Sequence, residues 1–203
     1  MFLFMITTEL TFALISFYFV MFVTPGPNNV MLFASGVKYG FKKTIPHIFG
    51  IPLGHFFQIS LISMGLGFVF QTYPIAQQIL KVLGCLYLFF LAYRMFGSLS
   101  IKESKETGRP LRFYEAALFQ ILNPKAWVVA ITAVSVFFPK DESFLTGLFF
   151  LAGIAPLVNL PSISVWVLFG SSIRAFISNP KVKKIVEIVL AILLVATGIT
   201  ILL

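Results

Sequence analysis

Six apolar runs, at roughly 7–39, 45–70, 75–97, 113–137, 144–170 and 184–203, take up most of this chain. Each is long enough to cross the hydrocarbon core of a bilayer, which needs about 20 residues of helix. No water reaches the backbone at that depth, so each run must satisfy its own N–H and C=O groups as a helix. Only 11% of the 203 residues are charged, against about 25% in a soluble domain. The chain therefore reads as one all-α integral membrane domain over 1–203, with six transmembrane helices. Met1 to Val23 has no basic start and no small-x-small cleavage site, so it reads as a retained first span rather than a leader.

The charges between the runs set the topology. Lys38, Lys42 and Lys43 follow the first run. Arg94, Lys102, Lys105, Arg109 and Arg112 surround the link between the third and fourth. Arg174, Lys181, Lys183 and Lys184 surround the link between the fifth and sixth. Twelve of the 15 basic residues thus lie in alternate links. That is the distribution of cytoplasmic loops in a multi-pass protein, and it puts both termini outside the cytoplasm. It also accounts for the net charge of +8 without a nucleic-acid partner. The hydrophilic stretch 98–112 divides the chain into three-span halves, 1–97 and 113–203. Halves with an odd number of spans face opposite ways, so the expected architecture is two inverted three-helix repeats.

Two of the runs are broken by proline at corresponding places. In the first half the break is Thr24-Pro25-Gly26-Pro27-Asn28-Asn29, and in the second it is Leu122-Asn123-Pro124-Lys125-Ala126-Trp127. Helices 1 and 4 are therefore expected to be interrupted. Asn28 precedes Lys38 by 10 residues and Asn123 follows Arg112 by 11. At about 1.5 Å per residue, both breaks lie about 15 Å from the charged interface, near the midplane. Irregular backbone survives there only if it is buried or lines a cavity, and paired interruptions of this kind point to a transport site.

The chemistry of the breaks suits a zwitterion. Proline removes an amide hydrogen and blocks the helical bond one turn back, which frees carbonyls for an ammonium group. Gly26 permits positive φ and close approach. The helix resuming beyond Asn28 offers its positive end to a carboxylate. Lys125, costly at this depth unless paired or wetted, is placed to hold a substrate carboxylate or to pair with Glu9, Glu115 or Glu187. Asn159, beside Pro161 in the fifth run, is a further polar point facing the cavity. The candidate substrate-binding residues are thus Thr24, Pro25, Gly26, Pro27, Asn28, Asn29, Asn123, Pro124, Lys125 and Asn159. A plain kink is the competing reading of either break alone.

Other features carry less. His47 and His55 are eight residues apart, a poor spacing for a helical metal pair; each reads first as a packed polar group and second as a proton carrier. Cys85 has no partner cysteine, so no disulfide or redox pair is available within one chain. Trp127 and Trp166 read as gates or interfacial anchors, and Gly50, Gly54, Gly65 and Gly67 as close-packing positions. An intramembrane protease would need paired Asp, a Ser/His pair or zinc ligands. The one aspartate, Asp141, falls in an outer loop and there is no HExxH. A passive channel lacks its acidic ring or repeated filter. No cofactor or metal is expected.

With these residues in view, the chain resembles the LysE/RhtB family of amino-acid exporters. Thr24-Pro25-Gly26-Pro27-Asn28 with Ala34-Ser35-Gly36, Gly40, Pro46-His47, Gly50 and Gly54 carries the first likeness. Phe119-Gln120 with Leu122-Asn123-Pro124-Lys125-Ala126-Trp127 carries the second, and Asn159-Leu160-Pro161-Ser162 with Trp166 and Gly170 a softer third. The resemblance implies ion-gradient-driven export of amino acids or their derivatives across the bacterial cytoplasmic membrane. Family substrates include lysine, arginine, threonine, homoserine and cysteine-pathway metabolites. The partners implied are an amino acid, the lipid bilayer and, as one candidate coupling ion, protons; a homodimer is compatible with the sequence. Related proteins relay thiol electrons through paired cysteines, an activity not carried over to a chain with one. The scarcity of acidic residues in the spans favours a neutral amino acid over a dicationic one.

Overall fold

A computed structural model describes residues 6–96, 99, 109–139 and 142–202. The described residues are helical with short connections, and no strand is found among them. The elements are α1 (Thr8–Val23), α2 (Pro27–Tyr39), α3 (Phe41–Leu61), α4 (Gly67–Thr72), α5 (Pro74–Met95), α6 (Phe113–Leu122), α7 (Pro124–Phe137), α8 (Phe144–Ile173) and α9 (Pro180–Leu202). A π-helical turn, Ile62–Leu66, joins α3 to α4, and a 3-10 turn, Arg174–Ser178, follows α8. The expected hydrophilic link at 98–112 lies largely outside the described residues, as do Lys102, Lys105, Lys140 and Asp141.

Four continuous stretches are long and apolar enough to cross a membrane, and the bent pairs α1–α2 and α6–α7 bring the total to six. The bends are 54° and 76°, so both expected interruptions are present. Proline opens α2, α5, α7 and α9, at the position where a missing N–H costs nothing. Thr7 Oγ1 caps α1 by accepting from Leu10 N at 3.1 Å, and Ser143 Oγ caps α8 by accepting from Thr146 N at 3.2 Å. At the start of α6, Glu115 accepts from Arg112 N at 2.8 Å and from both Arg109 amino groups at 2.6 Å. The sixth span begins at Pro180, four residues before the sequence boundary. Its first turn carries Lys181, Lys183 and Lys184, and those charges hid the helix start.

Polarity runs inside out, as a lipid solvent requires. Phe12, Met64, Phe68 and Leu157 are exposed, whereas Asn29, His47, His55, Gln58, Gln120, Asn123 and Asn159 are buried. Each broken span packs on an unbroken span of the other half: α1 and α2 lie on α8, and α6 and α7 lie on α3. The α2–α8 crossing is backbone on backbone. A Cβ at Gly36 would meet the Val167 carbonyl and one at Gly170 the Phe33 carbonyl. The α3–α6 crossing is built likewise, with Gly50 against the Phe113 carbonyl and Gly54 against that of Ala117. Tyr18, fully buried on α1, donates to Leu151 O at 3.2 Å and ties α1 to α8.

Gly65 does not share that packing role. A Cβ there would touch nothing within 4 Å, and its φ of +119° marks the kink in the π-turn. A Cβ on Gly67 would meet only Ile62 of the same turn. Cys85 is buried, its thiol directed to Gly198 O at 3.5 Å.

Candidate functional site

A break in a membrane helix releases carbonyls, and the structure shows where several of them go. At the first break, Met21 O accepts from Thr24 Oγ1 at 3.2 Å. Phe22 O and Thr24 O accept from Asn29 Nδ2 at 2.8 and 2.7 Å. Val23 O accepts from the Trp166 indole at 3.0 Å. Pro25 O accepts from Lys125 Nζ at 3.1 Å and from Thr197 Oγ1 at 3.4 Å. At the second break, Gln120 O accepts from Gln58 Nε2 at 2.8 Å and Ile121 O from the Trp127 indole at 2.9 Å. The released carbonyls named here are therefore not vacant for a ligand ammonium, contrary to the sequence expectation. Each tryptophan donates to a break carbonyl.

Lys125 joins the two breaks. Its ammonium donates to Thr24 O at 2.9 Å, Thr24 Oγ1 at 2.8 Å and Pro25 O at 3.1 Å. Two of these are carbonyls, and Thr24 Oγ1 spends its own hydrogen on Met21 O. All three are acceptors, so the geometry is that of a three-donor ammonium. No carboxylate among the described residues pairs with it. Glu115 is taken by Arg109, Glu187 lies 3.9 Å from Lys183, and Glu9 is exposed. Gly26 makes room for this side chain: a Cβ there would stand 2.9 Å from Lys125 Cδ. Its φ of 179° is extended backbone that any residue adopts, so the glycine is needed for space and not for positive φ.

Between the breaks lies a crevice with about 360 Å³ of free space counted to its mouth. Of the ten candidates, Gly26, Pro27, Asn28, Asn29, Asn123, Lys125 and Asn159 line it. Thr24 and Pro25 reach it only through Lys125, and Pro124 faces away, packed on Gly84 of α5. Pro161 is exposed on the outer face of α8. Asn28 and Gln120 exchange two hydrogen bonds, at 2.9 and 3.0 Å, which link the broken spans a second time. Asn123 Nδ2 adds a bond to Gln120 Oε1 at 3.3 Å.

Three residues of the wall hold polar atoms with no partner: Asn123 Oδ1, Asn159 Oδ1 and His55 Nε2. His55 Nδ1 lies 3.2 Å from Gln58 Oε1, an oxygen that only accepts. The proton is therefore on Nδ1, which leaves Nε2 an acceptor in the neutral ring. The wall thus offers three unspent acceptors beside one cation that lacks an anion. Gln58 and Gln120 were not among the sequence candidates. Their signal was amide residues three positions from another polar group, Gln58 after His55 and Gln120 before Asn123.

Asn29 supports the break itself. Asn29→Ala leaves Phe22 O without its partner, at about 1–3 kcal/mol for a buried unmade bond. The expected result is a lower melting temperature in detergent, read by tryptophan fluorescence. An unchanged melting temperature would contradict this role.

The LysE type translocator family model matches residues 19–203 of the chain. Cysteine/O-acetylserine efflux proteins of Escherichia coli (strain K12), Escherichia coli O9:H4 (strain HS) and Shigella sonnei (strain Ss046) are similar to it. Each is 26% identical over 174 residues, covering 85% of this chain and 87% of the relative. No solved structure matches.

Proposed function

The chain belongs to the LysE type translocator family, and from that premise we propose that it is a secondary-active exporter of small neutral amino acids. The proposed setting is the bacterial cytoplasmic membrane, with both termini outside the cytoplasm. A cysteine- or O-acetylserine-like substrate fits both the relatives' names and the absence of a carboxylate in the crevice wall. The observation that carries the reading is the pairing of unspent groups. Lys125 is a half-buried cation with no anion among the described residues, and Asn123 Oδ1, Asn159 Oδ1 and His55 Nε2 are acceptors without donors. An α-amino acid supplies one carboxylate and three ammonium hydrogens. The first turn of α2 opens on the same crevice and adds its positive end to the carboxylate side.

The latch supports a mechanism of alternating access. Lys125 holds the carbonyls of the first break from the start of α7, so it fixes the angle between the broken spans. A carboxylate entering the crevice competes for the same ammonium, weakens the latch and lets the breaks rearrange. The cross-packing of each broken span on the other half supports a two-fold relation between inverted repeats. Coupling to protons is the natural candidate, with His55 facing the crevice.

The test is efflux of radiolabelled L-cysteine, under reducing conditions, from proteoliposomes holding the purified chain. Saturable efflux with counterflow is expected; unsaturable flux without counterflow would favour a channel. Asn159→Ala removes an acceptor that no protein group uses. It is expected to raise the KM roughly tenfold, the effect of about 1.4 kcal/mol, without lowering the melting temperature. Flux indifferent to an imposed pH gradient would remove proton coupling and leave transport standing.

A further inference from the structure

A second cavity opens where α2 ends and α3 begins. Met31, Ser35, Lys38 and Tyr39 of α2, His47 of α3 and Arg109 are among its lining residues, around about 580 Å³ of free space counted to the mouth. Two of these side chains are unspent. His47 is 1% exposed, yet neither ring nitrogen has a partner. In any protonation state an imidazole carries at least one donor, so this ring is left with polar capacity that only an incoming group can meet. Among the described residues, Lys38 has no hydrogen-bond or ion-pair partner. Arg109 is occupied by Glu115 through both amino groups, at 2.6 Å each. Glu187 acts on Lys38 only through space; its Oε1 accepts from Leu99 N at 3.0 Å and lies 3.9 Å from Lys183. Among the described residues, the cavity therefore presents a cation with no carboxylate in contact.

Its position adds a second argument. His47, Ile51 and His55 follow one another at four-residue spacing, on one face of α3. Asn28, Met31 and Ser35, at spacings of three and four, likewise share a face of α2. The central crevice is lined by Asn28, Ile51 and His55, and the second cavity by Met31, Ser35 and His47. The two cavities thus lie end to end along the same pair of helix faces, with the buried Ile51 between His47 and His55.

We propose that this second cavity is an amino-acid-binding antechamber, in which Lys38 takes the substrate carboxylate and His47 a further polar group before passage to the crevice. The identity of its ligand rests on the export reading given above. The test is scintillation-proximity binding of radiolabelled L-cysteine, under reducing conditions, to the purified full chain, run beside the proteoliposome flux assay. Two molecules per chain are expected for the wild type and for Lys38→Arg, and one for Lys38→Met and for His47→Phe. Lys125→Met is expected to lose the other molecule, and the Lys38→Met/Lys125→Met pair both. Retention of one molecule by each single variant shows that it has folded. A wild-type stoichiometry of one, or of two that survives Lys38→Met, overturns the antechamber. Flux with one bound molecule rejects the antechamber and keeps export. Two bound molecules without flux does the reverse, and no binding at all rejects both.

Discussion

Lys125→Met is expected to lower L-cysteine efflux from proteoliposomes about a hundredfold or more, with the protein still folded. Methionine keeps much of the stem that fills the space beside Gly26 and removes the charge. The break survives because its acceptors keep other donors. Thr24 O retains Asn29 Nδ2 at 2.7 Å, Thr24 Oγ1 continues to donate to Met21 O, and Pro25 O keeps only a share of the Thr197 hydroxyl, whose hydrogen goes mainly to Leu193 O at 2.7 Å. Two functions are lost at once: the charge that meets a carboxylate and the latch between the spans. A hydrogen bond to a charged group contributes about 1.5–3 kcal/mol, so losing two of them exceeds a factor of about 100. Lys125→Arg keeps the charge, but its planar fork cannot gather three acceptors around one atom, and intermediate flux is expected. Efflux by Lys125→Met within twofold of wild type would remove this residue from the mechanism.

Gly50→Val and Gly54→Val are expected to yield no monodisperse, assembled protein. A Cβ at either position lands on a backbone carbonyl of α6, Phe113 O or Ala117 O, well inside contact distance. A flexible side chain could give way; a carbonyl in a hydrogen-bonded helix cannot. Overpacking of this kind costs about 1–3 kcal/mol where neighbours can shift, and here the shift would have to move α6 whole. That helix carries Gln120, which bonds Asn28 across the crevice, so milder Gly→Ala variants are expected to lose transport before they lose the fold. Gly153→Ala is the control. Its Cβ would meet nothing within 4 Å on an exposed face of α8, where alanine improves helix propensity by about 1 kcal/mol. Size-exclusion profiles of the three variants decide the matter: a symmetric wild-type peak from Gly50→Val would show that the α3–α6 crossing is looser than described.

The spans were legible because length, apolarity and charge all bear on the same question in a membrane. Proline announced both breaks, since no other residue removes a helical hydrogen bond so reliably. What could not be read was the fate of the freed carbonyls. Their partners lie far along the chain: Trp166 for Val23, Thr197 and Lys125 for Pro25. Only packing brings these together. Gly26 reads as a source of positive φ and of close approach to a ligand; its φ is extended and the space belongs to Lys125, because a sequence shows that a side chain is missing and not what occupies the gap. Gln58 carries no signal as an uncharged amide in an apolar run, and Gln120 stands out only as part of the second motif, since charge bookkeeping is silent on both. Asn159 was found because it stood beside a proline, and its neighbour Pro161 turned out to face outward.

The exchange of packing partners bears on how the molecule is made. The chain is synthesised from one end, and α3 enters the bilayer before α6 exists. Until then the strip around Gly50 and Gly54 faces lipid, with no backbone to close against it. The α2 strip at Gly36 likewise waits for Gly170 on α8. The first three helices are thus an unfinished surface rather than a nascent domain, and their final tertiary order must come after translation of the second half.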